Sequence, residues 1–241
     1  EEEEEEEEEV AAGAAEAPAV ERVVEAAGHG NRKIIVLLTL ASLETTKTKR
    51  GDYELLNCDD HRQIAKKYGL DPAEYRPDIL HQELLALIDS PLNKAGLLQV
   101  YIHTRKNVLI EVNPKMRVPR TFKRFSGLMV QLLHKFKIRA SGNSEMLMKV
   151  IKNPFSRHIP AGCRCFGFSV KGTLYKPSSF ASLMPDDQPC LLVFGAMASG
   201  SIQVQDHPYI EDMASISEYP LSGACALNRI CGAIESRWGI V

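Results

Sequence analysis

Residues 191–200 read Leu-Leu-Val-Phe-Gly-Ala-Met-Ala-Ser-Gly. Four consecutive apolar residues bounded by glycine have the character of a short strand covered on both faces, as in a parallel sheet. The stretch Gly195-Ala-Met-Ala-Ser-Gly200 then has the glycine spacing of a phosphate loop but lacks the Lys and Ser/Thr that should follow. This excludes a nucleoside triphosphate cradle. A glycine-bounded loop after a buried strand is still where α/β folds commonly place ligands, beyond the strand's carboxyl end.

Outward from this stretch the pattern alternates. Ile34 to Leu38 is a second apolar, β-branched run, and Leu97–Ile102 and Val108–Val112 flank a polar turn at residues 104–107. Ile202 to Gln205 and a short run near Ser215 to Ser217 are further strand candidates, and residues 42–57 read as a connection. Helices are expected over His61–Tyr68 and, capped by Asp78, through Leu84, Leu85 and Ile88 to a stop near Pro91. Phe122, Phe125, Leu128, Met129, Leu132, Leu133 and Phe136 recur at three- and four-residue steps, one apolar stripe of an amphipathic helix. A closing helix carries Leu227, Ile230, Ile234 and Trp238 on one face. Strands alternating with helices predict an α/β fold with a largely parallel sheet.

The chain has 241 residues, 44% of them hydrophobic, enough for a sizeable core. Its net charge of −2 conceals a division. Residues 1–30 hold twelve glutamates and one arginine, net −11, so residues 31–241 carry 28 basic against 19 acidic side chains, net +9. The acidic segment is expected to be a disordered tail, and residues 31–241 the folded domain. Glutamates at the start do not resemble a secretory signal, and no apolar run approaches the roughly 18–20 residues a bilayer requires. The six cysteines Cys58, Cys163, Cys165, Cys190, Cys225 and Cys231 lack zinc-like spacing, so no metal site and a reducing compartment are expected.

Between Val112 and Ser144 there is no Asp or Glu, yet Arg117, Arg120, Lys123 and Arg124 crowd the start of the Phe122 helix. A helix amino terminus already has a positive potential, so cations there repel it unless an anion binds. Arginine's planar fork suits phosphate, and the net positive charge of residues 31–241 points to nucleic acid. His81, His103 and His158 stand alone, with no nucleophile motif beside them, and read as structural hydrogen-bonders.

Several blocks identify a family resemblance: Ser42-Leu-Glu-Thr, Tyr53-Glu-Leu-Leu-Asn-Cys-Asp59, Arg76-Pro-Asp-Ile79, Asp89-Ser-Pro-Leu-Asn93, Asn107-Val-Leu-Ile-Glu-Val-Asn-Pro114, Pro119-Arg-Thr-Phe122, Val150-Ile-Lys-Asn-Pro154 and Tyr219-Pro-Leu-Ser222. From about residue 32 onward the chain resembles the S-adenosylmethionine-dependent methyltransferases of the SPOUT class that modify N1 of a pseudouridine in small-subunit (18S) ribosomal RNA. The resemblance implies a deep trefoil knot in the carboxyl-terminal part, a homodimer, pre-ribosomal assembly factors as partners, and work in the nucleus and nucleolus. It places the cofactor against Phe168, Gly195, Gly200, Ile216, Ser217, Glu218, Tyr219, Pro220 and Leu221. Phe168 stands where relatives have a small hydroxylated residue, and Cys163–Leu183 departs most from the family. RNA contacts map to Arg76, Arg117, Arg120 and Arg124, with Asp78 orienting Arg76. A second reading is an assembly factor that binds pre-ribosomal RNA, with methylation secondary or lost. A small-molecule methyltransferase fits the arginine cluster poorly.

Overall fold

The computed structural model describes residues 31–67, 69, 71–142 and 144–241, and the acidic segment 1–30 lies outside them. Strand β1 (Lys33–Ala41) runs through the centre, its residues 34–39 all buried because both sheet faces are covered. A small hairpin follows, β2 (Thr45–Lys47) with β3 (Tyr53–Leu55), in the segment expected to be a connection. Strands of three residues leave too little periodicity to read.

Helix α1 (Arg62–Lys67) and a 3-10 turn at Pro72–Glu74 lead to α2 (Pro77–Ile88). Asp78 does not cap α2: Arg76 is the N-cap and Pro77 occupies the first turn, where its missing N–H costs nothing. Asp89 closes α2, and Pro91 opens the short helix α3 (Pro91–Lys94), capped by Ser90. Strands β4 (Leu98–Thr104) and β5 (Leu109–Val112) form the expected antiparallel pair. The stripe at Phe122 becomes α4 (Phe122–Lys135), burying Phe125, Met129 and Leu132.

Besides β2 and β3, three further strands escaped sequence reading: β6 (Lys137–Arg139), β7 (Met146–Ile151) and the long β8 (Arg164–Leu174). After α5 (Pro177–Ala181) comes β9 (Pro189–Gly195), buried from residue 189 to 194. Ile202–Gln205 is not a strand; a 3-10 turn occupies Val204–Asp206. Strand β10 (Asp212–Ser215) and helix α6 (Gly223–Trp238) complete the chain.

The eight-stranded sheet has the order β10-β8-β9-β1-β4-β5-β7-β6. The first five strands are mutually parallel and the last three antiparallel, a largely parallel α/β sheet with an antiparallel arm. One face packs on α2, α4 and α6 through a large apolar cluster; the other carries a smaller cluster of Ile35, Leu37, Phe155 and Leu191.

Between β8 and β10 the ladder breaks. Met213 pairs with Gly167 but the next residue, Ala214, pairs with Thr173, so residues 168–172 leave the ladder. Gly172 returns so close to β10 that a Cβ there would lie 2.5 Å from the Ala214 carbonyl carbon. The excursion brings Phe168 to the carboxyl ends of the parallel strands, where the site lies.

Candidate functional site

A cavity of about 540 Å³ opens where β8, β9 and β10 end. Three segments wall it: the excursion Phe168–Lys171, the loop after β9, and the turn between β10 and α6. Each exists for a local reason. Gly200 has φ +101°, a left-handed conformation that side chains resist, and so closes the loop after β9. Ser222 caps α6 by accepting from Cys225 N–H at 3.3 Å, fixing the turn Ile216–Leu221 in front of it. Phe168 stacks on Phe194 with ring centroids 4.2 Å apart and planes 11° from parallel.

Of the cofactor positions expected from the sequence, Phe168, Gly195 and Gly200 line this cavity, and so do Ile216, Ser217, Tyr219, Pro220 and Leu221. Glu218 is not part of the wall. Sequence reading missed Ser169, Lys171, Phe194 and Gly223, which do line it. The glycine pattern pointed to one loop, whereas the wall comes from a strand excursion and a helix start brought together by sheet order.

The chemistry of the lining suits a nucleoside-type ligand. Its volume falls inside the roughly 300–1,000 Å³ common for small-molecule pockets. The stacked phenylalanines supply a flat apolar surface, and Ser169, Ser199, Ser201 and Ser217 supply hydroxyls. Ala196 N–H bonds Thr39 C=O at 2.8 Å, but residues 197–202 form no further main-chain hydrogen bonds to one another or to the sheet among the described residues. Apart from the Ser201 C=O, which accepts from Gln203 Nε2 at 3.1 Å, their N–H and C=O groups are left to solvent or to a ligand.

The back of the same loop meets a second, narrow crevice lined by Leu40, Ser42, Glu74, Arg76, Arg105 and residues 196–199. Arg76 is thus one loop away from the cavity. Its guanidinium is held by Asp78 in a fork, Nε donating to Oδ1 at 2.8 Å and Nη2 to Oδ2 at 2.7 Å. Asp78 raises the guanidinium's already high pKa, chiefly through this bond. The Ser42 hydroxyl is buried without a hydrogen-bond partner. Leu40 has φ +61° at a bulge in the β1–β4 ladder, a strained conformation for a branched side chain.

The other three arginines lie on an arm before and within the first turn of α4. Thr121, the N-cap, gives no side-chain bond, and no acidic residue stands in that turn. Arg117 and Arg124 have no ion-pair partner among the described residues. Arg120 does: it pairs with Asp89 at the end of α2, an exposed contact worth at most about 1 kcal/mol. His81 joins the arm to α2, its ring stacking on Phe125 at 4.4 Å and its Nε2–H donating to Pro119 C=O at 2.7 Å. The expectation of a structural histidine holds at this position. Among the described residues no His, Cys, Asp and Glu group is arranged to hold a metal, and no helix is long and apolar enough to cross a membrane.

The family model described as EMG1/NEP1 methyltransferase matches residues 36–235. The chain is 54% identical over 214 residues to the ribosomal RNA small subunit methyltransferase NEP1 of Mus musculus, covering 88% of this chain and 84% of the relative. It is 50% identical over 216 residues to the Drosophila melanogaster protein of the same name, covering 87% and 84%. Among solved structures, Archaeoglobus fulgidus Nep1 bound to S-adenosylhomocysteine matches with a TM-score of 0.64 at 23% identity, over 87% of this chain and 99% of that one, a likeness of fold.

Proposed function

The chain belongs to the EMG1/NEP1 methyltransferase family, and from that premise we propose that it transfers a methyl group from S-adenosylmethionine to N1 of a pseudouridine in small-subunit ribosomal RNA. The observation that carries this reading is the cavity at the ends of β8, β9 and β10, joined through one loop to the Arg76–Asp78 fork. The names of the relatives support ribosomal RNA as substrate, and the basic arm before α4 is the surface such a substrate needs.

S-adenosylmethionine supplies an electrophilic methyl group on a good leaving group. The residues of this chain contribute position. Phe168 and Phe194 offer a face on which an adenine can stack, while the 197–202 loop and the hydroxyls around it offer donors and acceptors to sugar and amino-acid groups. Gly195, Gly200 and residues 216–221 shape that wall. Arg76, fixed by Asp78, and Arg117, Arg120 and Arg124 hold the phosphates flanking the target, so that a nucleotide drawn from its stack enters beside the loop. Holding reactants in line in this way contributes roughly 7–11 kcal/mol. Asp78 orients Arg76 and does not act as the base, because both its oxygens are committed to the guanidinium.

The same reading includes a trefoil knot formed by the segments that wall the cavity, a homodimer, and action with pre-ribosomal assembly factors in the nucleolus. Calorimetric titration with S-adenosylmethionine, on the wild type and on Gly200→Trp, tests the pocket assignment. Saturable binding lost in the variant supports it. A wild type that binds no S-adenosylmethionine would leave RNA binding as the main activity and favour the assembly-factor reading.

A further inference from the structure

Glu83 stands in the middle of α2 and is fully buried, yet neither carboxyl oxygen has a hydrogen-bond partner. Burying a carboxyl without partners costs several kcal/mol when it is charged. The other residues buried along α2 include Leu80, Leu84, Leu87 and Ile88, so packing alone does not ask for an acid here. The space it fills exists because residue 223 is glycine: a Cβ there would come within 1.9 Å of Glu83 Oε1. Gly223 is also the first residue of α6 and part of the cavity wall. The carboxyl therefore sits directly behind the wall, against the amino-terminal turn of a 16-residue helix, whose dipole favours an anion.

We propose that Glu83 is a specificity-determining residue for the charge of the methyl donor: from behind Gly223 its carboxylate favours a sulfonium in the cavity over the neutral thioether left after transfer. This rests on the assignment of the cavity to S-adenosylmethionine. Donor and spent product differ by one methyl group and one positive charge. Stacking faces, hydroxyls and main-chain groups bind both alike, so a nearby negative charge is what separates them. Glu83 can supply it conditionally, because burial pushes its carboxyl up to about 8. The charged and titratable groups on the elements packed against α2 leave it unmoved: Asp78 and His81 on α2 itself, Lys94 on α3, Lys123, Arg124, His134 and Lys135 on α4, Cys225, Arg229, Cys231, Glu235 and Arg237 on α6, and Lys33 at the start of β1, whose buried residues Ile34, Val36 and Leu38 join the same apolar cluster. With a cation beside it the carboxyl gives its proton to solvent; once that cation is neutralised it takes one back from solvent. The cavity thus holds its substrate and loosens on its product.

The test uses the full-length chain and both ligands. Calorimetry from pH 6 to pH 9 is run with S-adenosylmethionine and S-adenosylhomocysteine on the wild type and on Glu83→Gln. In the wild type the preference for donor over product should rise roughly three- to tenfold between pH 6 and pH 8 and then level. Glu83→Gln should lower that preference and remove its contribution to the pH slope, leaving affinity for the product unchanged. Infrared difference spectra of the wild type at pH 7 need no variant: a protonated-carboxyl band should weaken on adding the donor and keep its intensity on adding the product. A band unaffected by either ligand, or a variant that retains the wild-type slope, would overturn the proposal while sparing the pocket assignment. Absence of donor binding in the wild type would overturn both.

Discussion

His81 donates a 2.7 Å hydrogen bond from Nε2 to the carbonyl oxygen of Pro119, while its ring lies against Phe125. One side chain thereby fixes the loop bearing Arg117 and Arg120 to the helix that begins at Arg76. His81→Leu keeps the apolar contact but strands the Pro119 carbonyl. It should cost about 1–3 kcal/mol in urea unfolding. RNA affinity should fall several-fold while S-adenosylmethionine affinity is unchanged, because the cavity lies beyond the 196–199 loop. Equal losses in both affinities would contradict a role confined to the arm.

Arg76 and Asp78 predict a different pattern. Asp78→Asn leaves one acceptor oxygen where the fork needs two, so Arg76 loses its fixed orientation. RNA affinity should drop several-fold in filter binding and methyl transfer should fall in parallel. Full RNA affinity with no methyl transfer would make Asp78 the proton acceptor instead.

Phosphate contacts by Arg76, Arg117, Arg120 and Arg124 predict a salt-dependent affinity for looped RNA. A log–log slope of roughly −2 to −3 is expected for three or four neutralised phosphates, at about −0.7 each. Of the three arginines on the arm, removing Arg120 should change it least, because Asp89 already competes for that guanidinium. A slope near zero in the wild type would contradict the phosphate assignment.

Glu83 also predicts how stability varies with pH. Its folded-state pKa of about 8 lies above the ordinary value of 4.5. Between those values the folded chain keeps a proton that the unfolded chain has lost, so stability falls as pH rises through that window and the loss is complete above about 8. Glu83→Gln removes the penalty. Its stability relative to wild type should be higher at pH 9 than at pH 5 by on the order of a few kcal/mol, read from urea midpoints. No pH dependence in that difference would mean the carboxyl is not held neutral by burial.

Much of the architecture was legible because burial leaves periodic marks. The continuous apolar runs at Ile34–Leu38 and Leu191–Phe194 became the two central parallel strands, and the stripe from Phe122 became α4. Elements at the sheet's margins left weaker marks. Residues 168–172 of β8 leave the ladder, so their side chains answer to the cavity and show no alternation. Ile202–Gln205 looked like a strand from apolar spacing alone, yet no neighbouring strand pairs with it. Asp78 carried the signature of a helix cap, but Pro77 starts the helix one residue earlier and the carboxylate turns to Arg76. For the site, the family blocks supplied residues that composition could not. Glu83 was invisible to both, since its isolation depends on what surrounds it: an apolar stripe and a glycine 140 residues away in sequence.

The most direct test of the central claim uses two transcripts of small-subunit ribosomal RNA, one made with pseudouridine throughout and one with uridine. Each is incubated with the chain and methyl-labelled S-adenosylmethionine, and the digested nucleosides are analysed by mass spectrometry. The account predicts N1-methylpseudouridine from the first transcript and no labelled nucleoside from the second. Label in both transcripts, or in neither, would contradict it.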